Sequence, residues 1–223
     1  MKTFKDTDAL VTALADQVVN WIDEAIKERG AAHVVLAGGT TPKALHAVLS
    51  ERSVPWEQVH VYFGDERCVG PEDPASNYRA AHETLLSKVA IPEEQVHRIR
   101  GEDFEAAVGP YGAILPARFD VTLLGMGEDG HTASLFPENE ALDAGARVVY
   151  VDDSPKDPPE RITLSLVALN ASYHVAFMVT GAAKADALAE VMKPGAVLLP
   201  AARVEPLDGS VEFYVDEAAA AKV

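Results

Sequence analysis

The sequence predicts an α/β fold: an open sheet with its ligand chemistry at the carboxyl ends of the strands. Three stretches predict it. Phe119–Pro137, FDVTLLGMGEDGHTASLFP, opens with the continuous apolar run Val121–Leu124, the pattern of a strand buried on both faces. It then stops in three glycines, an aspartate and a histidine. His33–Ala37 is a second apolar strand, closed by Gly38-Gly39-Thr40-Thr41-Pro42, and Tyr173–Thr180 a third, closed by Gly181. Open α/β sheets bind ligands where buried strands end like this.

The elements follow in order. Leu10, Val11, Leu14, Val18, Ile22, Ala25 and Ile26 recur at helical spacing, so Asp8–Arg29 is expected to be a helix with Gly30 as its C-cap. After the His33–Ala37 strand, Thr41 is an N-cap candidate and Pro42 a first helical residue, with a helix to about Glu51. Val59–Phe63 is a strand running into the charged stretch Gly64-Asp65-Glu66-Arg67. Ser76 or Asn77 can cap a helix reaching about Val89. Val96–Ile99 is a weak strand, and Asp103–Leu115 has helical spacing interrupted by Pro110 and Gly112. Beyond the central stretch, Arg147–Val151 and Arg161–Ser165 read as strands around a stiff proline loop, Ser154–Pro159. Gly181 should open a helix to about Met192. Val211–Val215 is a last strand, and the Ala-rich tail a short helix or a frayed end. Neither a linker nor a repeat interrupts the 223 residues, which predicts one domain, 1–223.

Composition narrows the function. A formal net charge of −16 disfavours nucleic-acid and anionic-membrane partners, yet a few cations focused in one cleft can still hold a small anion. The single cysteine, Cys68, excludes an internal disulfide framework and fits a reducing compartment. The N-terminus lacks the apolar core of a signal peptide, so a cytoplasmic protein is expected. Oligomeric state stays open between a monomer and a weak homo-oligomer.

Each candidate residue has a plain alternative. Strand, Gly-Gly turn and capped helix make a phosphate cradle, because glycines let N–H groups close on an anion at the positive helix end; the same signature also describes an ordinary turn. Asp65, Glu66 and Arg67 are either a solvated loop or part of the same cleft. Lys184, in the first turn after Gly181, can meet an anion there or sit on the surface. His131 can act as a general base with Asp129 beside it, or can simply brace a Gly-rich turn. Gly125–Gly130 matches G-x-G-x-x-G, but Pro137 leaves no room for the long helix that a dinucleotide needs, so a nicotinamide cofactor is rejected. Neither a second histidine nor a cysteine stands at metal-ligand spacing from His131, and no nucleophile elbow surrounds Ser134.

Taken together, LAGGTTP (Leu36–Pro42), FGDERCV (Phe63–Val69), SNYR (Ser76–Arg79), GMGEDGHTASLFP (Gly125–Pro137), SPKDPPERITLSL (Ser154–Leu166) and TGAAK (Thr180–Lys184) resemble the 6-phosphogluconolactonases. Asp157 is a departure, standing where that family usually has proline. The resemblance implies a Rossmann-like, mainly parallel sheet flanked by helices on both faces, the fold of glucosamine-6-phosphate deaminases and ribose-5-phosphate isomerases. It implies hydrolysis of 6-phosphoglucono-δ-lactone in the pentose phosphate pathway without a cofactor or metal. In that reading His131 activates water with Asp129 beside it, and Arg67 offsets developing negative charge. Gly39, Thr40, Arg161 and Lys184 hold the phosphate, and Gly38, Asp65 and Lys156 complete the substrate site.

Two rivals remain. A glucosamine-6-phosphate deaminase would share the Gly-Gly-Thr loop and the Asp-Gly-His turn, but an Asn-Glu-Pro type sequence is expected where this chain has Ser134–Pro137. It would also lack the Asp65–Arg67 and Lys156–Arg161 pairing. A non-catalytic sugar-phosphate binder needs none of the reactive residues, all of which are present.

Overall fold

The computed structural model describes residues 1–223. Its strands and helices run β1 (Lys2–Phe4), α1 (Thr7–Arg29), β2 (Ala32–Leu36), α2 (Thr40–Leu49), β3 (Val59–Phe63), β4 (Asp65–Arg67) and α3 (Asn77–Thr84). They continue with α4 (Val108–Ala113), β5 (Phe119–Gly125), β6 (Val148–Val151), β7 (Arg161–Leu164), α5 (Leu166–Leu169), β8 (Ser172–Val179), α6 (Ala185–Val191) and β9 (Ser210–Asp216).

Six strands form a sheet in the order β1-β9-β8-β5-β2-β3, every neighbouring pair parallel. Its central strand β5 is buried from Phe119 to Leu124, as an apolar run covered on both faces requires. The chain passes outward from β2 to β3, then returns to lay β5 on the other side of β2. Strand order therefore reverses between β2 and β5, and the crevice beyond the carboxyl ends of these two strands is the switch point where such sheets bind ligands. Helix α1 turns Leu10, Leu14, Val18 and Ile22 into the core. It is capped by Asp6, which accepts from the Ala9 N–H, and by Gly30 at φ 85°.

The antiparallel sheet β4-β7-β6 is the main departure from expectation. The charged stretch after β3 is a strand, with Asp65, Glu66 and Arg67 registered against Thr163, Ile162 and Arg161. Ile162 and Leu164 join the same apolar cluster as Leu123 and Phe177, so one core underlies both sheets.

Smaller differences have local causes. Val96 makes only an isolated bridge to Val61 rather than opening a strand. Gly101–Ala107 is a 3-10 turn with Phe104 at φ 51°, ahead of the short α4, instead of one helix across Asp103–Leu115. Gly101 is pressed so close to Arg67 that a Cβ would stand 2.2 Å from its carbonyl oxygen. α3 ends at Thr84, with a 3-10 turn at Leu86–Lys88, and Gly181 leads into a 3-10 turn, Ala182–Lys184, before α6. β1 and the four-residue α5 are too short to carry a periodic signal.

Candidate active site

Three loops of the main sheet and two strands of the small one meet at the switch point around a cleft of about 460 Å³. Gly38, Gly39, Thr40, Asp65, Arg67, His131, Lys156, Arg161 and Lys184 all line it, whereas Asp129 stands against the His131 ring. Glu66, expected either in a solvated loop or in this cleft, is in neither, because it is buried and turned away on the alternate face of β4.

The β2–α2 loop supplies the anion cradle, with a correction to its cap. Gly39 at φ 106°, not Thr41, is the N-cap, no side chain caps the helix, and Pro42 falls at the third helical position. The Thr41 hydroxyl is engaged elsewhere, 2.7 Å from the Thr180 hydroxyl across the cleft. The first N–H groups of α2 thus lack a side-chain acceptor, at the end where the helix dipole favours an anion. Gly38 must be glycine for a further reason: a Cβ there would lie 1.9 Å from the Asn77 side-chain oxygen.

The turn after β5 builds a histidine–carboxylate pair. Gly127 N–H donates to the His131 carbonyl at 2.8 Å, and Gly130 N–H to the Gly127 carbonyl at 3.1 Å, so the chain doubles back within five residues. Inside that turn His131 Nδ1 lies 2.5 Å from Asp129 Oδ1, and the ring leans on Phe136 with centroids 4.7 Å apart. An ionised carboxylate only accepts, so Nδ1 carries the hydrogen and Nε2 keeps its lone pair. Burial pushes the His131 pKa below its ordinary value despite the opposing effect of Asp129; the Lys156 charge adds to the depression. Burial works against ionisation of Asp129, but its bond and charge coupling to His131, with Lys156 adding, hold its carboxyl below the usual range. Both shifts favour neutral imidazole beside ionised carboxylate at neutral pH, the form that accepts a proton.

The small sheet contributes fixed cations. Arg67 and Arg161 are register partners on adjacent strands, a like-charged pairing that opposes strand association. Arg161 is 4% exposed, held by Nε on the Pro158 carbonyl (2.6 Å) and by Nη2 on the Lys156 and Asp157 carbonyls (3.0 and 3.1 Å). Asp157 therefore contributes its carbonyl oxygen to Arg161, which a proline there would supply equally. Burial first, then the neighbouring Arg67 charge, lowers the Arg161 pKa. Two guanidiniums held side by side at a cleft wall are a site for an anion. Asp65 is fixed between them and His131: Ser134 Oγ donates to its Oδ2 at 2.7 Å and Asn77 Nδ2 to its Oδ1 at 3.1 Å. Lys184 approaches from the β8 side, its Nζ 4.0 Å from Glu128 Oε1.

The sequence reading passed over Asn77, Thr41, Thr180 and Phe136 as lining residues. Asn77 and Thr41 read as helix caps from sequence, and an apolar Phe136 carries no chemical signal. Ser134, noted only as a non-nucleophile, is fully buried and serves Asp65.

A parallel sheet with an uncapped helix end, paired guanidiniums and a histidine–carboxylate couple at its switch point defines a class, the Rossmann-like α/β proteins that act on small anionic ligands. Residues 5–213 match the family described as Glucosamine-6-phosphate isomerases/6-phosphogluconolactonase, and the chain belongs to that family. It is 40% identical to the 6-phosphogluconolactonase of Mycobacterium tuberculosis, covering 100% of this chain and 98% of the relative. It is 36% identical to the enzyme of that name from Nostoc, over 100% and 98%. Among solved structures, 6-phosphogluconolactonase from Thermotoga maritima superposes with a TM-score of 0.89 at 32% identity, covering 97% of this chain and 98% of that one. A monomeric glucosamine-6-phosphate deaminase superposes at 0.84 with 20% identity over the full length of both chains, a likeness of fold.

Proposed function

We propose that the protein hydrolyses the ring ester of 6-phosphoglucono-δ-lactone to 6-phosphogluconate. The observation that carries this reading is His131, oriented by Asp129 and held neutral, beside a cleft lined by Arg67, Lys156, Arg161 and Lys184. The 6-phosphate docks on the Gly39 and Thr40 N–H groups with Lys184 and Arg161, and Gly38, Asp65 and Lys156 shape the rest of the site. His131 Nε2 takes a proton from a water as its oxygen attacks the lactone carbonyl carbon. Arg67 faces the negative charge that grows on the carbonyl oxygen. Collapse of the tetrahedral intermediate breaks the bond to the ring oxygen, which receives the proton from His131 and leaves as the hydroxyl of the open acid. Remote phosphate binding holds the lactone in line for attack.

In this reading residues 1–223 work as one domain, a monomer or weak homo-oligomer, with a small phosphosugar lactone as the only ligand and neither cofactor nor metal. A net charge of −16 supports the lack of a nucleic-acid or anionic-membrane partner, and no helix is long and apolar enough to cross a membrane. The lone buried thiol, Cys68, supports a reducing, cytoplasmic setting.

The test is acid release from freshly generated lactone, corrected for spontaneous opening. A large protein-dependent rate, insensitive to a chelator and lost in His131→Ala, is the expected result. A rate at background would overturn the reading, and ammonia released from glucosamine 6-phosphate would replace it with the deaminase.

A further inference from the structure

Side chains alternate along a strand, so β4 turns Asp65 and Arg67 toward the cleft and Glu66 the other way. Glu66 is 3% exposed and forms no ion pair, yet its carboxylate accepts four hydrogen bonds. Oε1 receives the N–H of Arg67 at 2.8 Å and of Asn77 at 2.7 Å. Oε2 receives the Ser76 hydroxyl at 2.9 Å and the Tyr78 N–H at 2.8 Å. Burial pushes the carboxyl above its usual range while these four bonds oppose the shift. Two of the four donors, the Asn77 and Tyr78 N–H groups, open α3, which Ser76 caps separately through the Arg79 N–H at 3.1 Å, so Glu66 ties the helix start to β4.

The four bonds share one destination. Arg67 is held at its backbone by Glu66 directly, and at its side chain by one bond only, from Nη1 to the Ala75 carbonyl at 2.7 Å. Its Nε is buried without a partner. Ala75 immediately precedes the Ser76–Tyr78 segment that Glu66 grips, so both anchors of Arg67 rest on this carboxylate. Asn77, gripped in the same way, donates to the carbonyl and to the carboxylate of Asp65.

We propose that Glu66 is a positioning residue for the reaction, joining the β4 strand to the start of α3 so that the Arg67 guanidinium meets the charge developing on the lactone. The inference rests on the lactonase reading. Glu66 touches neither the phosphate cradle nor His131 and reaches the substrate site otherwise only through Asn77, so its effect falls chiefly on turnover.

In Glu66→Gln an NH₂ group replaces one of the two accepting oxygens and faces donors. The expected result is a kcat lower by about tenfold to a hundredfold, with KM for the lactone changed by less than about twofold. Arg67→Ala alone lowers kcat by about a hundredfold or more. The double variant matches Arg67→Ala, because a residue acting through Arg67 has nothing left to position. Ser76→Ala removes one of the four bonds, together with the α3 cap on the Arg79 N–H, without altering charge. It gives a smaller kcat loss in the same direction, absent when Arg67 is alanine, and keeps the test open should Glu66→Gln misfold. An unchanged kcat in Glu66→Gln, an equal rise in KM, or effects that multiply in the double variant would overturn the inference. If Arg67→Ala turns over normally, the role of Arg67 falls and this inference with it, while lactone hydrolysis measured in the unaltered protein still stands.

Discussion

The two sheets build the same cleft by opposite means. The parallel sheet contributes almost nothing from within its strands: Gly38–Thr40, Gly127–His131 and Gly181–Lys184 all lie in loops beyond their ends, and the strands themselves are apolar core. The small antiparallel sheet puts Asp65, Arg67 and Arg161 inside its strands, Asp65 and Arg161 buried and Arg67 half-buried, held by carbonyls and amides. Loops at a switch point supply backbone N–H groups and a mobile proton carrier. Strands supply cations that stay where they are, even as unfavourable cross-strand neighbours. A reaction that must both grip an anion and meet new charge uses one device for each.

The largest effect should come from a single methyl group in the main-sheet turn. A Cβ at Gly127 would stand 2.0 Å from His131 Nδ1 and 2.4 Å from Asp129 Oδ1. Gly127→Ala is therefore expected to lower kcat by about 10²–10⁴-fold, as loss of a general base does, with an unchanged far-UV circular dichroism spectrum. Near-normal turnover would show that the pair is not the base.

Next come paired core cuts, which ask whether the sheets stand or fall together. Leu123 in β5 and Leu164 in β7 are both fully buried in one apolar cluster. Each Leu→Ala change should remove about 2–5 kcal/mol from a single cooperative denaturant transition. A separate, earlier transition in Leu164→Ala alone would make the small sheet an independent unit. A smaller effect divides binding from turnover: Lys184→Met should raise KM about tenfold, the loss of one charged hydrogen bond of roughly 1.5 kcal/mol, with kcat unchanged. A fall in kcat instead would put Lys184 at the reacting end.

The same contrast explains what could be read in advance. Strands β2, β3, β5, β8 and β9 announce themselves as strands, and the carboxyl ends of all but β9 carry glycines, so the main sheet and its three loops were legible. The small sheet was half legible. Its strands β6 and β7 show in the sequence, but Asp65-Glu66-Arg67 has no apolar alternation, and only pairing with β7 makes it a strand. Likewise Thr41 has good capping chemistry, and only Thr180, distant in sequence, draws its hydroxyl away. Asn77 and Ser134 escaped for the same reason, since their partner, Asp65, is a tertiary one. The residues proposed to bear chemistry are named by motif; the ones that hold them in place are not.

The finest separation is between two histidines that titrate in the same direction for different purposes. In its proposed role as base His131 must be neutral, and burial sets its pKa below 6.5, so kcat/KM should be level at and above that pH and fall on the acid side. An acid limb centred above 6.5 would mean that Asp129 outweighs burial. His46, 1% exposed in α2, is pushed by burial down to about 4. The unfolded chain then takes up its proton first, so the stabilising contribution is complete above about pH 6.5 and is lost as pH falls toward the folded value, by at most about 1.4 kcal/mol per pH unit for this one group. His46→Gln should therefore flatten the acid limb of stability while leaving the acid limb of the rate in place. If instead both limbs move together, the loss of rate in acid is unfolding, and the pH profile says nothing about the base.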